Sequence, residues 1–164
     1  MRSVDVCLTH QDFNNYDHKG KIVVVIDVLR ATSTINTLLF LGADHVRPIG
    51  SLEECKSLKD HDYIIMAERL GKKVEGFDYG NSPTKLTEKD IKGKKVAIAT
   101  SNGSKAIIKS EGSEITILCS FLNIESVINR IKKSESDVIL LCSGWLGKTN
   151  LEDTLCAGGI VAGL

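Results

Sequence analysis

The sequence predicts an α/β domain in which a mostly parallel sheet is flanked by layers of helices. Segments typical of strands alternate with segments typical of helices along the 164 residues, as in chains built from βα units. Several of the strand segments are nearly continuous apolar runs, which suits strands that are covered by helices on both faces. The length and the hydrophobic content of 42% are those of one domain with a sizeable core.

The elements follow from these patterns in chain order. Strands are predicted at residues 4–9, 22–28, 45–49, 63–68, 95–100, 114–120 and 137–142. Helices are predicted at residues 32–41, 51–59, 104–110, 123–133 and from 151 onward. Ser51 and Glu54 have the spacing of a capping box, and Gly42 and Gly112 are typical of residues that end a helix. The segment 71–94, which contains GFDYGNSP, is interpreted as a long functional loop.

The chain is treated as a single domain over residues 1–164. Its last residues, CAGGIVAGL, form an apolar helical stretch without a polar stop, so we expect an incomplete C-terminal end.

Composition and charge argue against several classes of partner. The formal net charge is zero, so no basic surface is expected to attract nucleic acid or an anionic membrane. No apolar run approaches the roughly 20 residues that a membrane helix needs, and the N-terminus lacks the apolar core of a signal peptide. A cytoplasmic protein is therefore expected, and self-association is left open. The five cysteines have no CxxC pairing and are interpreted as small buried side chains.

Polar side chains follow five of the predicted strands, at the point where each strand ends. Since ligands of parallel α/β sheets collect beyond the carboxyl ends of the strands, we expect these groups at one edge of the sheet. The five groups are Asp27, Arg30, Thr32 and Ser33; Glu68 and Arg69; Thr100, Ser101, Asn102, Gly103 and Ser104; Ser120 and Asn123; and Glu152 and Asp153.

These residue types together predict a site for an anionic, phosphorylated small molecule and Mg²⁺. Helix N-termini and arginines bind anions, and carboxylates suit Mg²⁺, which prefers oxygen ligands. Four of the groups also have a simpler explanation. Thr32 and Ser33 are common helix caps, and acids such as Glu152 and Asp153 commonly complement a helix dipole. Asn102–Gly103 is a common tight turn, and Glu68–Arg69 suits a surface ion pair. The clustering of all of them at one edge favours the site.

Three familiar phosphate chemistries fail against the sequence. An aspartyl-phosphate phosphatase of the haloacid-dehalogenase type needs Asp-x-Asp, but Leu29 stands two residues after Asp27. A cysteine phosphatase needs Cys-x5-Arg, but Cys142 is followed at that spacing by Lys148, which lacks the planar fork of arginine. The GxxxxGK[ST] loop of P-loop nucleotide-binding proteins is missing.

Six motifs together resemble those of the 2-phosphosulfolactate phosphatase family. They are DVLRATSTI (27–35), AERLG (67–71), GFDYGNSP (76–83), TSNGS (100–104), SFLN (120–123) and LEDTLCAG (151–158). The resemblance implies a distinct α/β fold and Mg²⁺-dependent hydrolysis of 2-phospho-3-sulfolactate to 3-sulfolactate and phosphate, a step of coenzyme M biosynthesis. It also implies several dozen further residues beyond the present C-terminus.

We therefore expect direct attack of metal-activated water on the phosphoryl group, without a phosphoenzyme. The expected catalytic residues are Asp27, Arg30, Glu68 and Arg69, and the expected Mg²⁺ ligands are Asp27, Glu68, Glu152 and Asp153. Substrate binding is assigned to Thr32, Ser33, Asn81, Ser82, Ser101, Asn102, Gly103, Ser104 and Asn123. Two alternatives stay open: a phosphatase of other 2-phospho-hydroxy acids, and a non-catalytic protein that binds anionic metabolites.

Overall fold

The computed structural model describes residues 2–164 and has the predicted α/β class. Its strands are β1 Val4–Cys7, β2 Ile22–Ile26, β3 His45–Pro48, β4 Tyr63–Arg69, β5 Lys72–Lys73, β6 Lys95–Ala99, β7 Ile115–Cys119 and β8 Val138–Cys142. Its α-helices are α1 Ala31–Phe40, α2 Leu52–Ser57, α3 Glu88–Ile91, α4 Gly103–Lys109, α5 Ile124–Lys132 and α6 Leu151–Gly163. All the predicted strands and helices are present, with small shifts at their ends.

The strands are divided between two four-stranded sheets. The first sheet has the order β1-β8-β2-β7 and is parallel throughout. The second has the order β3-β6-β4-β5, in which β5 is the antiparallel strand. The sequence predicts parallel strands but not their division into two sheets, because apolar periodicity carries no information on strand pairing.

Both faces of the first sheet are covered, as the apolar runs predict. All five residues of β2 and all five of β8 are buried. Alternate residues such as Val24 and Leu140 pack with α5 and α6, while Val23 and Leu141 pack on the opposite face against Phe13 and the helix α4.

Two helices connect the sheets. Ile35 and Leu38 of α1 pack on Met66 and Ile98 of the second sheet, and α1 also contacts β7 of the first. Ile107 of α4 packs against the cores of both sheets. The far face of the second sheet is covered by α2. Both sheets therefore share one interior, and their strand ends lie close enough to form one cleft.

The segment 71–94 is more structured than the predicted loop. It contains β5, the short helix α3 and a 3₁₀ turn at Pro83–Lys85. Leu86 and Ile91 anchor it in the core next to α1. The apolar residues that do this are too few and too widely spaced to give a periodic signal.

Several local predictions are confirmed. Ser51 Oγ accepts a hydrogen bond from the backbone N–H of Glu54 at 3.1 Å, which caps α2. Gly42, after α1, has the left-handed backbone typical of a helix end (φ 85°). All five cysteines are free and buried. None of the helices within residues 2–164 has both the length and the apolar character needed to cross a bilayer.

Candidate active site

One cleft gathers the ends of strands from both sheets. It encloses about 90 Å³. Strands β2 and β8 of the first sheet and β4 and β6 of the second all lead into it. It is lined by Asp27, Leu29, Arg30, Glu68, Gly71, Asn81, Thr100, Ser101, Asn102, Gly144, Trp145, Asn150 and Glu152. Most of these residues are polar, and three of them are acids.

Asp27 is the most perturbed acid of the cleft. It directly follows β2, and its side chain is 7% exposed. Its Oδ1 accepts a hydrogen bond from the backbone N–H of Ala31 at 3.1 Å, at the start of α1. Burial and the repulsion of Asp153 and Glu68 raise the pKa of Asp27 to about 7, against the partial relief of the Ala31 bond. A carboxyl group with this pKa can exchange a proton near neutral pH.

Asp153 lies behind Asp27 and does not line the cleft. It is fully buried; its Oδ1 accepts from the N–H of Val28 at 2.8 Å and its Oδ2 from the hydroxyl of Ser143 at 3.1 Å. Burial raises the pKa of Asp153 as well. With both oxygens engaged by the protein, this placement gives no support to its predicted role as a metal ligand. Asp153 instead ties α6 to the end of β2.

Glu68 brings a second carboxylate from the other sheet. It is 8% exposed, and its Oε1 accepts from the N–H of Gly71 at 2.5 Å. The hydroxyl of Ser101 lies 3.5 Å from the same oxygen. Arg69 does not line the cleft; its guanidinium donates to the carbonyl of Glu68 at 2.8 Å. The structure thus brings Glu68 to the site and directs Arg69 to the main chain.

Arg30 crosses the cleft from the first sheet to the second. It directly precedes α1, after a cis peptide bond between Leu29 and Arg30. Its Nη2 donates to the carbonyl of Gly71, next to β5, at 3.2 Å. No carboxylate of the described chain forms an ion pair with it. Its charge therefore remains available to an anion in the cleft.

Thr32 and Ser33 hold the start of α1 rather than face the cleft. The buried hydroxyl of Thr32 lies 2.8 Å from the carbonyl oxygen of Asp27 and 2.6 Å from that of Cys119. The hydroxyl of Ser33 donates to the carbonyl of Val28 at 2.8 Å. Both hydroxyls are therefore used by the main chain, but neither caps α1: the residue at the N-cap is Arg30, and its side chain makes no capping hydrogen bond.

The residues that follow β6 also differ in whether they face the cleft or bond to their own main chain. Thr100, Ser101 and Asn102 line the cleft, whereas Ser104 is 1% exposed and its hydroxyl is bonded around the turn itself. Position 103 requires glycine because its neighbours leave no room for a side chain. A Cβ atom there would lie 2.3 Å from Ala31 Cβ and 2.4 Å from Asp27 Oδ2. The absence of a side chain lets α4 begin directly beside Asp27.

Besides Thr32, Ser33, Gly103 and Ser104, two further predicted substrate contacts lie outside this cleft. Asn123 caps a turn with bonds to Leu118 and Ser120, and it lines a separate groove beside Phe40. Ser82 lines a neighbouring cleft that shares Arg30, Gly71 and Asn81 with the first.

Asn81 and Asn150 add two neutral oxygen atoms to the site. The side-chain oxygen of each is buried and has no hydrogen-bond partner within the described chain. A buried polar atom without a partner is costly, so each oxygen favours a ligand that can satisfy it. Such acceptor atoms suit a cation, its water shell or another hydrogen-bond donor.

The donor set fits an oxygen-preferring cation such as Mg²⁺. Within residues 2–164, no three His, Cys, Asp or Glu side chains converge as a ready metal cluster. Glu68, Glu152 and Asp27 nevertheless share the cleft with the amide oxygens of Asn81 and Asn150. Mg²⁺ usually binds through one or two carboxylates and completes its shell with water and substrate phosphate, which this mixed set allows.

Several lining residues were not among the predicted site residues. They are Leu29, Gly71, Gly144, Trp145 and Asn150; Thr100 was expected at this edge of the sheet but was assigned no role. Asn150 has the clearest sequence signal, because it immediately precedes α6 at the same strand edge. Trp145 lines the cleft and is 59% exposed.

Cys142 has the wrong environment for a nucleophile. It is fully buried within β8, and burial together with the nearby charge of Asp153 raises the pKa of its thiol to about 12. The nucleophilic thiolate is therefore scarce at neutral pH, which agrees with the failed Cys-x5-Arg pattern.

Comparison with known proteins gives one consistent family. The sequence profile of the 2-phosphosulpholactate phosphatase family matches residues 7–164. Three curated relatives, each named probable 2-phosphosulfolactate phosphatase, are 42%, 38% and 44% identical to the chain. They come from Caldanaerobacter subterraneus subsp. tengcongensis, Clostridium acetobutylicum and Thermotoga maritima, respectively.

The matches cover 93%, 96% and 86% of this chain but 65%, 68% and 61% of those relatives. The chain thus spans about two thirds of their length. The extent of the profile match and the identity of the relatives show that this chain belongs to the 2-phosphosulpholactate phosphatase family.

Proposed function

We propose that the protein is a Mg²⁺-dependent phosphatase that hydrolyses 2-phospho-3-sulfolactate to 3-sulfolactate and phosphate. Family membership and the names of the relatives support the reaction class and substrate. The structural observation that carries the proposal is the buried carboxyl group of Asp27, which the N–H of Ala31 holds in a cleft that also contains Arg30 and two further acids.

Asp27 is suited to accept a proton from an attacking water molecule. The water oxygen forms a bond to phosphorus as the proton moves to the Asp27 carboxylate. The bond between phosphorus and the ester oxygen breaks, and that oxygen leaves with the electron pair and is protonated by solvent. The Ala31 N–H fixes Oδ1 of Asp27, so the carboxylate does not need to reorient during the step.

Arg30 and the turn at Ser101–Asn102 are suited to bind the phosphoryl oxygens. The guanidinium offers parallel hydrogen bonds and a full positive charge, and the turn adds hydroxyl and amide donors. When bound, Mg²⁺ would neutralise phosphoryl charge and increase the acidity of water. Glu68, Glu152, Asn81 and Asn150 would hold it, each through an oxygen atom.

The decisive experiment measures phosphate release from 2-phospho-3-sulfolactate with Mg²⁺ and with EDTA, for the wild type and Asp27→Asn. We expect Mg²⁺-dependent turnover, and a fall in kcat of roughly 10²–10⁴ in the variant, the usual contribution of a general base. Asp62→Asn is the control, because Asp62 is exposed and lies in a left-handed turn that asparagine tolerates.

Each alternative has its own outcome in this assay. Faster release from 2-phospholactate or 2-phosphoglycerate would assign another 2-phospho acid as substrate. Calorimetric binding without phosphate release would indicate a non-catalytic binding protein. Wild-type turnover by Asp27→Asn would remove Asp27 from the reaction.

A further inference from the structure

A second cleft opens directly beside the first and is much larger. It encloses about 450 Å³, and Arg30, Gly71 and Asn81 form a wall common to both clefts. In the proposed reaction the first cleft holds the phosphoryl group. The wall that it shares with the second cleft places the rest of a phosphate ester beside Arg30, Gly71 and Asn81.

The second cleft carries more positive charge than its acids balance. Besides Arg30, two lysines line it, Lys73 and Lys85. Within the described chain, neither lysine forms an ion pair with a carboxylate. Asp78 is the acid among the lining residues, and its Oδ1 is bound by Lys59 at 2.8 Å while its Oδ2 accepts from the N–H of Ile65 at 3.0 Å. Since the chain as a whole has no net charge, this local excess is a feature of the cleft.

Lys73 is held in place by its surroundings. Its Nζ donates to the carbonyl of Phe77 at 3.0 Å. A Cβ atom at Gly80 would lie 3.1 Å from Lys73 Cβ, so the turn of the GFDYGNSP segment packs directly against the lysine stem. The restraint lowers the entropy that the side chain loses when it binds an anion.

We infer that this second cleft is the subsite for the leaving group, and that Lys73 and Lys85 bind its carboxylate or sulfonate. The inference rests on the proposed function for the position of the phosphoryl group in the first cleft. In this arrangement Arg30 lies between the two anionic ends of the substrate. The two lysines then determine specificity for phosphate esters whose alcohol part carries a second negative charge.

The test compares two double variants that remove the same charge from the same segment. Lys73→Ala/Lys85→Ala removes the two cleft lysines, and Lys72→Ala/Lys89→Ala removes two exposed lysines outside the lining. Each is assayed with 2-phospho-3-sulfolactate, with 2-phospholactate and with isopropyl phosphate, whose alcohol part is uncharged. Comparison of the first two substrates separates sulfonate from carboxylate recognition.

For the cleft variant, we expect KM for the two substrates with a charged alcohol part to rise on the order of tenfold, the effect of losing a charge-assisted hydrogen bond. Its kcat, and its KM for isopropyl phosphate, should remain within about twofold. The control variant should behave as the wild type, and Lys73→Arg/Lys85→Arg should retain the low KM. An equal rise of KM for all three substrates, an equal effect in the control pair, or no rise at all would overturn the inference.

Calorimetric measurement of 3-sulfolactate binding tests the subsite without requiring turnover. If the wild type releases no phosphate, the proposed function fails, but weaker binding of 3-sulfolactate by Lys73→Ala/Lys85→Ala alone would still support the subsite. Unchanged binding in that variant would refute the subsite even in an active phosphatase.

Discussion

Asp27 has a folded environment that disfavours its charge. Burial comes first among the causes, followed by the negative charge of Asp153, and together they raise its pKa from 3.8 to about 7. A carboxyl group that holds its proton more tightly in the folded than in the unfolded state makes the folded state less stable as pH rises between these two values. The same environment that suits Asp27 to proton transfer therefore lowers the free energy of unfolding at neutral pH.

We predict that Asp27→Asn is more stable than the wild type at pH 8 in EDTA, because the amide removes the buried charge. The difference in the free energy of unfolding should grow from near zero at pH 4 to at most on the order of 4 kcal/mol at pH 8. Urea unfolding across this pH range measures it.

Asp137→Asn is a control for which we expect the opposite effect on stability at neutral pH. The bond from the N–H of Ser3 lowers the pKa of Asp137, so Asp137 stabilises the fold above its unfolded pKa and loses that contribution as pH falls. Its replacement should be destabilising at neutral pH and neutral in acid. A pH-independent effect of Asp27→Asn would contradict the assigned environment of Asp27.

The start of α4 shows how one element depends on its neighbours at the site. Gly103 brings the helix against Ala31 of α1 and against the Asp27 carboxylate. The simpler interpretation of Asn102–Gly103 was a tight turn, but Asn102 is the N-cap of α4 and Gly103 is its first residue. The reason for glycine lies in contacts some 70 residues distant along the chain. Such contacts leave no periodic pattern.

The same limit explains which parts of the site were predictable. Apolar runs located every strand of the two parallel ladders, and the strand-end rule brought Asp27, Glu68, Ser101 and Glu152 to one cleft. It could not distinguish a hydroxyl that faces ligand from one bound to its own main chain, as at Ser33. Side-chain direction depends on packing.

We predict that Gly103→Ala lowers the free energy of unfolding by about 1–3 kcal/mol, the usual cost of overpacking, and also reduces kcat because Asp27 must move. Gly158→Ala is the matched control: it is also in a helix, but no atom lies within 4 Å of the new Cβ. It should be neutral or stabilising by up to about 1 kcal/mol. Unchanged stability of Gly103→Ala would contradict the close contact.

The molecule as a whole places its candidate site between two sheets. Asp27 follows β2 of the first sheet and Glu152 lies in the first turn of the helix after β8, whereas Glu68 is the penultimate residue of β4 in the second sheet. A cation held by acids from both sheets would connect them, in addition to the shared packing of α1 and α4. With such a cation, the geometry of the site would depend on how the two sheets are positioned relative to each other.

A cation that binds only the folded protein raises its stability by mass action, by about 2.7 kcal/mol at a concentration of 100 Kd. For a chain of this length we predict that saturating Mg²⁺ raises Tm by roughly 5–10 °C. Glu152→Gln and Glu68→Gln, one on each side of the cleft, should each raise the Kd for Mg²⁺ at least tenfold and reduce this shift, as calorimetry and thermal unfolding can show. Glu125→Gln is the control, since Glu125 is exposed in the first turn of α5 and away from the cleft. If Glu152→Gln alone abolished the shift while Glu68→Gln left it unchanged, the cation would be held by one side of the cleft and would not join the sheets.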